Sequence, residues 1–460
     1  MGRGKKTNKP ANFPPPTTVF LKELNNQIIA NTPSPAAPLN TRPTPFSSYP
    51  LSPNTAHALT ECGFTTTTNI QSATLPYTLN PTKDVLACGQ TGSGKTLSFL
   101  IPTIESLYRL CWSPSDGLHS IIITPTRELA MQIFSVLQQI ARYHRFNVGL
   151  VTGGKKQFKQ EQVGIVKVNC VVATPGRILA HLESTYGFTA DSLQTFVIDE
   201  ADKCLELGFA EEVDRLVSYL PSQRQTMLFS ATQTKKVRDL ARLSLKRPVY
   251  VAVSQDVVDD GNESDRAPDE ETKKKRKTPY TIPATLKQTY ITVPLHLKVS
   301  VLYSFLKTHL KSKTIVFLST RSQIKFFHGL FSSFQPGLPL LSLHGKQSQQ
   351  RRTSAYFEFS RKTGGACLFT TDVASRGLDF PGVDWVFMAD APEDVEMYVH
   401  RVGRTARNNK SGTSLMLLTP SEESGFVKMI KSSGIDGLKK LSVNPNKALD
   451  VQKKTSAGEG

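Results

Sequence analysis

Residues 89–96 read GQTGSGKT, directly after the short apolar run Asp84-Val85-Leu86-Ala87-Cys88 and directly before a helical pattern from Leu97 to Tyr108. Few folds accommodate that order. A buried strand must deliver a glycine-rich turn to the end of a sheet, and a helix must start immediately behind it. Gly89, Gly92 and Gly94 let the backbone turn tightly and approach an anion with no Cβ in the way. Gly92, Ser93, Gly94, Lys95 and Thr96 form the candidate cradle of a nucleoside triphosphate. Lys95 is expected to reach the terminal phosphates, and Thr96 to place its hydroxyl on Mg²⁺. The helix N-terminus adds the positive end of its dipole.

A second segment asks for the same ligand. Asp199-Glu200-Ala201-Asp202 follows the apolar run Phe196-Val197-Ile198. Asp199 is expected to hold the magnesium through its hydration shell, and Glu200 to orient and polarise an attacking water. Asp202 is expected to bond neighbouring motifs rather than the nucleotide. Alone, each string also reads as something plainer: a Gly/Ser-rich turn, or a solvated helix start. Together, in this order, they point to ATP with Mg²⁺ as cofactor.

The remaining chain organises around these segments. Residues 1–42 are rich in Pro, Thr, Asn and Lys without apolar periodicity and read as a disordered basic tail. From 43 to 253, apolar runs alternate with helical patterns. The strand candidates are Ser120 to Thr124, Val148 to Val151, Cys170 to Ala173, Phe196 to Ile198 and Gln225 to Phe229. Such alternation predicts a parallel sheet covered on both faces. Residues 254–283 break the pattern, with an acidic stretch followed by Lys273-Lys274-Lys275-Arg276-Lys277, and read as a flexible charged linker. Alternation resumes from 284 to 425, with strands at Thr314 to Leu318, Ala366 to Thr370 and Trp385 to Met388. Residues 426–460 read as a short basic tail. The expected fold is α/β, two tandem parallel-sheet domains with a cleft between them.

Further segments appear in a fixed order. Phe46 precedes Gly63-Phe64 and Ile70-Gln71. After GQTGSGKT come Pro125-Thr126-Arg127-Glu128-Leu129-Ala130, Gly153-Gly154, Thr174-Pro175-Gly176-Arg177, the acidic segment and Ser230-Ala231-Thr232. The second half supplies Ile315 to Thr320, Leu343-His344-Gly345-Lys346-Gln347, TTDVASRGLDF (Thr370 to Phe380) and YVHRVGRTAR (Tyr398 to Arg407). In these segments the chain resembles the DEAD-box RNA helicases from about Phe46 to Pro420.

The resemblance implies RecA-like domains and a set of roles. Phe46 and Gln71 would recognise adenine, and Gly377 and Asp379 would contact the ribose side. Arg404 and Arg407 would bring positive charge to the transferring phosphoryl group, joining Lys95, Asp199 and Glu200 as the catalytic set. Arg127, Gly154, Thr174 and Arg177 would contact RNA from the first domain, with Thr371 from the second. Contacts to phosphates and 2′-hydroxyls make such binding largely independent of sequence. Ser230 and Thr232 would couple hydrolysis to strand separation. One departure stands out: where the family has prolines before Ile-Gln, this chain has Thr67-Thr68-Asn69. Losing the prolines is expected to loosen that turn.

The net charge of +18 suits a polyanionic partner. No apolar run approaches the roughly 20 residues that span a bilayer, and no membrane partner is expected. Six cysteines without C-x-x-C spacing read as reduced thiols of an intracellular protein. Lys273 to Lys277 has three readings: a nuclear import signal, a solvated linker or an RNA contact. Tyr49-Pro50-Leu51-Ser52, the Leu228 to Leu245 segment, Asp379 to Trp385 and Asn444 to Lys447 are similar to a nucleolar subgroup acting on small-subunit ribosomal RNA. That resemblance implies pre-ribosomal RNA, ribosome-assembly proteins as partners and a nucleolar location. The subgroup's long charged extension is expected to be shortened here, since the chain stops at Gly460. A monomeric RNA helicase is the leading reading, with an ATP-regulated RNA clamp and a DNA translocase as alternatives.

Overall fold

A computed structural model describes residues 13–34, 37–89, 92–153, 158–231, 235–253, 282, 285–372, 380, 382–406 and 411–442. The chain divides into two compact units, one ending at Val253 and one beginning at Ser254.

In the first unit the expected strands, joined by an unforeseen one at Val249–Ala252, form one parallel sheet. They are β1 (Val85–Cys88), β2 (Ser120–Ile123), β3 (Val148–Val151), β4 (Cys170–Ala173), β5 (Thr195–Ile198), β6 (Gln225–Ser230) and β7 (Val249–Ala252). Their spatial order is β3-β4-β2-β5-β6-β1-β7. Every residue of β1, β2, β4, β5 and β6 is buried, because helices cover both faces. Two apolar layers result, one around Phe99, Leu100 and Phe229, the other around Ile121, Val171 and Phe196. This double burial is why the strands read as continuous apolar runs.

Part of the expected N-terminal tail is ordered. Thr18–Asn31 is a helix whose Leu24 and Ile28 enter the first core layer. Asn25 accepts from Arg109 at 3.4 Å, and Asn80 donates to Thr32 at 3.1 Å. The helix shows no apolar stripe because it buries only these two residues, one turn apart. Docking on the unit, rather than its own pattern, holds it.

The second unit repeats the architecture. Its strands are β8 (Leu286–Thr292), β9 (Lys313–Phe317), β10 (Leu340–Leu343), β11 (Ala366–Thr370), β12 (Trp385–Met388), β13 (Gly412–Leu418) and β14 (Leu438–Lys440). They lie in the order β10-β11-β9-β12-β13-β8-β14, all parallel. The unit therefore runs past residue 425. A helix occupies Pro420–Ser432, and β14 pairs with β8 beyond it, followed by Leu441 N–H donating to Tyr290 at 2.8 Å. The sequence reads as a basic tail because β14 is an edge strand, and edges carry lysines. The linker expected at 254–283 lies outside the described residues except for Ile282. Each unit is a RecA-like α/β domain. Among the described residues no helix is long and apolar enough to cross a membrane.

One core group makes the first unit acid-sensitive. His119 is fully buried, with Ser106 at 3.1 Å from Nε2, Ser120 on Nδ1, and Trp112 edge-on at 4.9 Å. Burial, with Arg109 nearby, lowers its pKa from 6.5 to about 3. The folded state thus keeps the ring neutral while the unfolded state takes up a proton below about pH 6.5. Its contribution is complete above that pH and is lost as the pH falls toward 3. Between pH 6.5 and about 4 the wild-type first unit should lose about 3 kcal/mol more than His119→Gln. Urea titrations across that range check this.

Candidate functional site

The loop after β1 carries the first group of candidate residues. Gly94 caps the helix Lys95–Arg109 in the left-handed conformation, φ +92°. A Cβ there would lie 2.7 Å from Gln71 Nε2, so the position demands glycine twice over. Lys95 is buried and its Nζ donates to the Gly89 carbonyl at 2.6 Å. Ser93 and Thr96 are half-buried and Gly92 is exposed at the loop surface.

The acidic segment follows β5, which lies beside β6, the neighbour of β1. Asp199 and Glu200 are 4 % and 5 % exposed. Glu200 has φ +50°, a left-handed backbone that aims its side chain differently from a regular helix start. Asp199 Oδ1 is buried without a hydrogen-bond partner. Burial first, then the adjacent Glu200 charge, push the Asp199 carboxyl up to about 7, with Lys95 opposing. A buried carboxylate oxygen without a donor, near a lysine parked on a carbonyl, fits a divalent cation and a polyphosphate. Asp199 and Thr96 are the groups able to hold the cation.

Backbone bonds lock these segments together. Gly89 N–H donates to the Ser230 carbonyl at 3.1 Å, and Asp202 accepts from Ala231 N–H at 3.1 Å. Asp202 therefore ties motifs to each other, as expected. Ser230 is fully buried at the end of β6. Thr232 lies outside the described residues.

The turn before Gln71 differs from expectation. It is held by hydroxyls rather than loosened. Thr67 Oγ1 accepts from Thr44 N–H at 2.9 Å and lies 2.5 Å from Ser72 Oγ. Gln71 is the third residue of the helix Asn69–Thr78, accepting from Thr68 N–H and donating to the Gly94 carbonyl, both at 2.8 Å. Phe46 is 4 % exposed, and its ring belongs to the first core layer.

The candidate RNA residues occupy the other half of the same sheet edge. Arg127 starts the helix after β2, Gly153 follows β3, and Thr174 follows β4. Strand order makes β3, β4 and β2 neighbours, so these loops are contiguous. A Cβ on Gly153 would lie 2.8 Å from Arg127 Nη2. Arg177 pairs with Glu161 at 2.9 Å and its guanidinium lies 5.1 Å from the Phe158 ring centre. His181 shares the same Glu161 oxygen at 3.1 Å. Gly154 lies outside the described residues.

In the second unit, Thr371 follows β11 and its carbonyl accepts from Thr370 at 3.0 Å. Arg404 is buried, with Nε donating to the His400 carbonyl at 3.1 Å. Gly377, Asp379 and Arg407 lie outside the described residues.

Two family profiles match the chain: "DEAD/DEAH box helicase" over residues 68–240 and "Helicase conserved C-terminal domain" over 297–409. The chain belongs to the DEAD/DEAH box helicases. Among its relatives, "Probable ATP-dependent RNA helicase DDX10" of Mus musculus is 47% identical over 411 residues, 89% of this chain and 44% of that protein. "ATP-dependent RNA helicase dbp4" of Sclerotinia sclerotiorum is 46% identical, over 88% of this chain and 47% of that protein. The chain thus spans less than half the length of these relatives. The solved structure of Mss116p bound to ssRNA and AMP-PNP aligns with TM-score 0.75 at 26% identity, covering 88% of this chain and 81% of that one.

For a DEAD/DEAH box helicase, the described residues add groups that the sequence reading passed over. Arg401 is 1 % exposed and grips Asp372 with Nε and Nη2 at 2.7 and 2.8 Å, while Nη1 donates to the Asp390 carbonyl at 2.9 Å. Asp390 in turn accepts from Ser319 N–H at 3.1 Å and Gln323 at 2.9 Å. One arginine thereby joins the segments after β9, β11 and β12. Glu161 was likewise unforeseen, as was the holding role of the Thr67 hydroxyl in a turn expected to be loose. The only sequence signal was charged or hydroxyl residues beside named motifs, which surface residues also satisfy.

Proposed function

We propose that the chain is an ATP-dependent RNA helicase that couples ATP hydrolysis to local unwinding of RNA duplexes. The observation that carries it is the cluster of Gln71, Lys95, Asp199 and Glu200 at the ends of β1, β5 and β6, adjoining Arg127, Thr174 and Arg177 at the ends of β2 and β4. The names of the relatives support the reading, as does the ssRNA and AMP-PNP bound to Mss116p. Bound Mg²⁺ would screen the phosphate charge. Lys95 would leave the Gly89 carbonyl for a phosphate oxygen, and Glu200 would take its place beside the attacking water. Arg404 and Arg407 are assigned to the transferring phosphoryl group, and Thr371 and Gly154 to the RNA backbone. Gly377 and Asp379 are assigned to the ribose side, and Ser230 and Thr232 to coupling. We also assign the chain to ribosomal RNA processing and small-subunit ribosome biogenesis in the nucleolus, with Lys273 to Lys277 as import signal.

The test uses the full chain with one strand made as RNA and as DNA of the same sequence. RNA should stimulate ATP hydrolysis, the 2′-deoxy strand should not, and a short RNA duplex should separate only with hydrolysable ATP. Equal stimulation by DNA would favour a translocase. ATP-dependent RNA binding without turnover would favour a clamp.

The Gly153 contact yields a prediction for the RNA half. Gly153→Ala should push the flexible Arg127 guanidinium aside without moving the backbone. RNA affinity should fall by about tenfold and the slope of log K against log salt by about one. Nucleotide binding should be unchanged. Salt titrations of RNA binding check it.

A further inference from the structure

The hydroxyl of Thr67 saturates its hydrogen-bonding capacity in a buried position. Thr67 is 3 % exposed and Ser72 fully buried. Oγ1 accepts from Thr44 N–H at 2.9 Å, lies 3.0 Å from the Thr44 carbonyl, and lies 2.5 Å from Ser72 Oγ. A hydroxyl offers one proton and two lone pairs, so three such partners use all of it. Thr67 N–H also donates to the Thr44 carbonyl at 2.8 Å, and Thr44 Oγ1 meets Tyr49 OH at 3.0 Å. Residues 44–49 and the start of the helix Asn69–Thr78 are therefore one piece. Ser72 is the residue next to Gln71.

Gln71 has the capacity left for one specific edge. Its amide carries two N–H groups and two lone pairs on oxygen. The Gly94 carbonyl takes one N–H, and Thr68 N–H takes one lone pair. Among the described residues, one donor and one acceptor remain. Adenine presents an acceptor at N7 beside a donor at N6, which this pair matches. Guanine presents acceptors at both N7 and O6, which would set O6 against the Gln71 oxygen. Selection between the bases thus depends on where the amide points. It is fixed at one end by the phosphate loop, and its helix is fixed by Thr67.

We propose that Thr67 is a positioning residue for base selection: its hydroxyl sets the helix start that aims the Gln71 amide, and so sets the preference for adenine over guanine nucleotides. The proposal rests on the ATP reading of the site. In Thr67→Val the shape is kept and the hydroxyl removed. Thr44 N–H and Ser72 then lose their buried partner, and the helix start shifts to recover one. Thr67→Ser keeps the hydroxyl.

The experiment measures equilibrium binding of fluorescent ATP and GTP analogues, and of inorganic tripolyphosphate with Mg²⁺, to the full chain. Thr67→Val should lose about tenfold in its ATP-over-GTP preference, keep its tripolyphosphate affinity, and be matched to wild type again by Thr67→Ser. An unchanged preference in Thr67→Val overturns the proposal. So does a parallel loss of tripolyphosphate binding, which would mean Thr67 merely holds the unit together. A wild-type chain without preference for ATP would instead overturn the adenine reading itself, and the proposal with it.

Discussion

Glu200→Gln should lower RNA-stimulated ATP turnover by about 10²–10⁴-fold and leave nucleotide binding intact. Gln has the shape of Glu and the same Cβ, so it enters the left-handed backbone at φ +50° with no new strain. It cannot polarise a water, and that is the loss turnover reports. The second effect goes the other way. The Glu200 charge is one of the causes that raise the Asp199 carboxyl to about 7. Removing it should bring that carboxyl down, leaving more Asp199 ionised near neutral pH and the cation more firmly held. The expected signature is tight Mg²⁺-ATP binding with almost no release of phosphate, read by calorimetry beside a phosphate assay. Near-normal turnover in the variant would sink the assignment of Glu200.

Arg401→Ala should destabilise the second unit by about 2–4 kcal/mol. The guanidinium is 1 % exposed, makes a two-pronged contact with Asp372, caps the Asp390 carbonyl, and lies 5.4 Å from the Phe317 ring centre. Truncation removes both prongs of that contact from the Asp372 carboxylate and leaves the Asp390 carbonyl uncapped against a cavity. Arg401→Lys should recover little, because an ammonium cannot bridge both carboxylate oxygens and the carbonyl in one plane. The chain has two tryptophans, and Trp385 lies in β12 of this unit. In a Trp112→Phe background, Trp385 fluorescence during urea unfolding isolates the second unit. Its midpoint should fall sharply in Arg401→Ala. A midpoint within error of the parent would show that the Asp372 contact carries no weight.

Arg401 also illustrates how much of the site could be read in advance. It stands in the same HRVGRTAR string as Arg404 and Arg407, and nothing in the string says which arginine ties the strand ends together. The distinction comes from Asp372, 29 positions away, brought to it by the pairing of β11 with β9 and of β9 with β12. Phe46 shows the same dependence on distant neighbours: the resemblance gives its ring to adenine, and the fold packs that ring into the first core layer, beside a Phe46 N–H bond to the Thr65 carbonyl at 3.1 Å. Thr67 replaces a proline's fixed φ with hydroxyl bonds to a segment 23 residues away, so counting prolines could not foresee a firm turn.

The sequence by itself determined most of the buried strands, where the phosphate loop and acidic segment would sit on them, and that two such units follow one another. Those features depend on neighbours in the chain: continuous apolar runs, glycines that open a turn, a lysine one residue past it. Only the tertiary structure decided the strand order that separates the Lys95–Asp199 half of the sheet edge from the Arg127–Thr174 half. It alone decided that Thr18–Asn31 docks, that β14 closes the second sheet, and that Thr67 and Arg401 act as ties. Each of these depends on burial against residues distant in sequence, where a single hydrogen bond or a pair of apolar side chains becomes worth its ordering cost only after the sheet has formed.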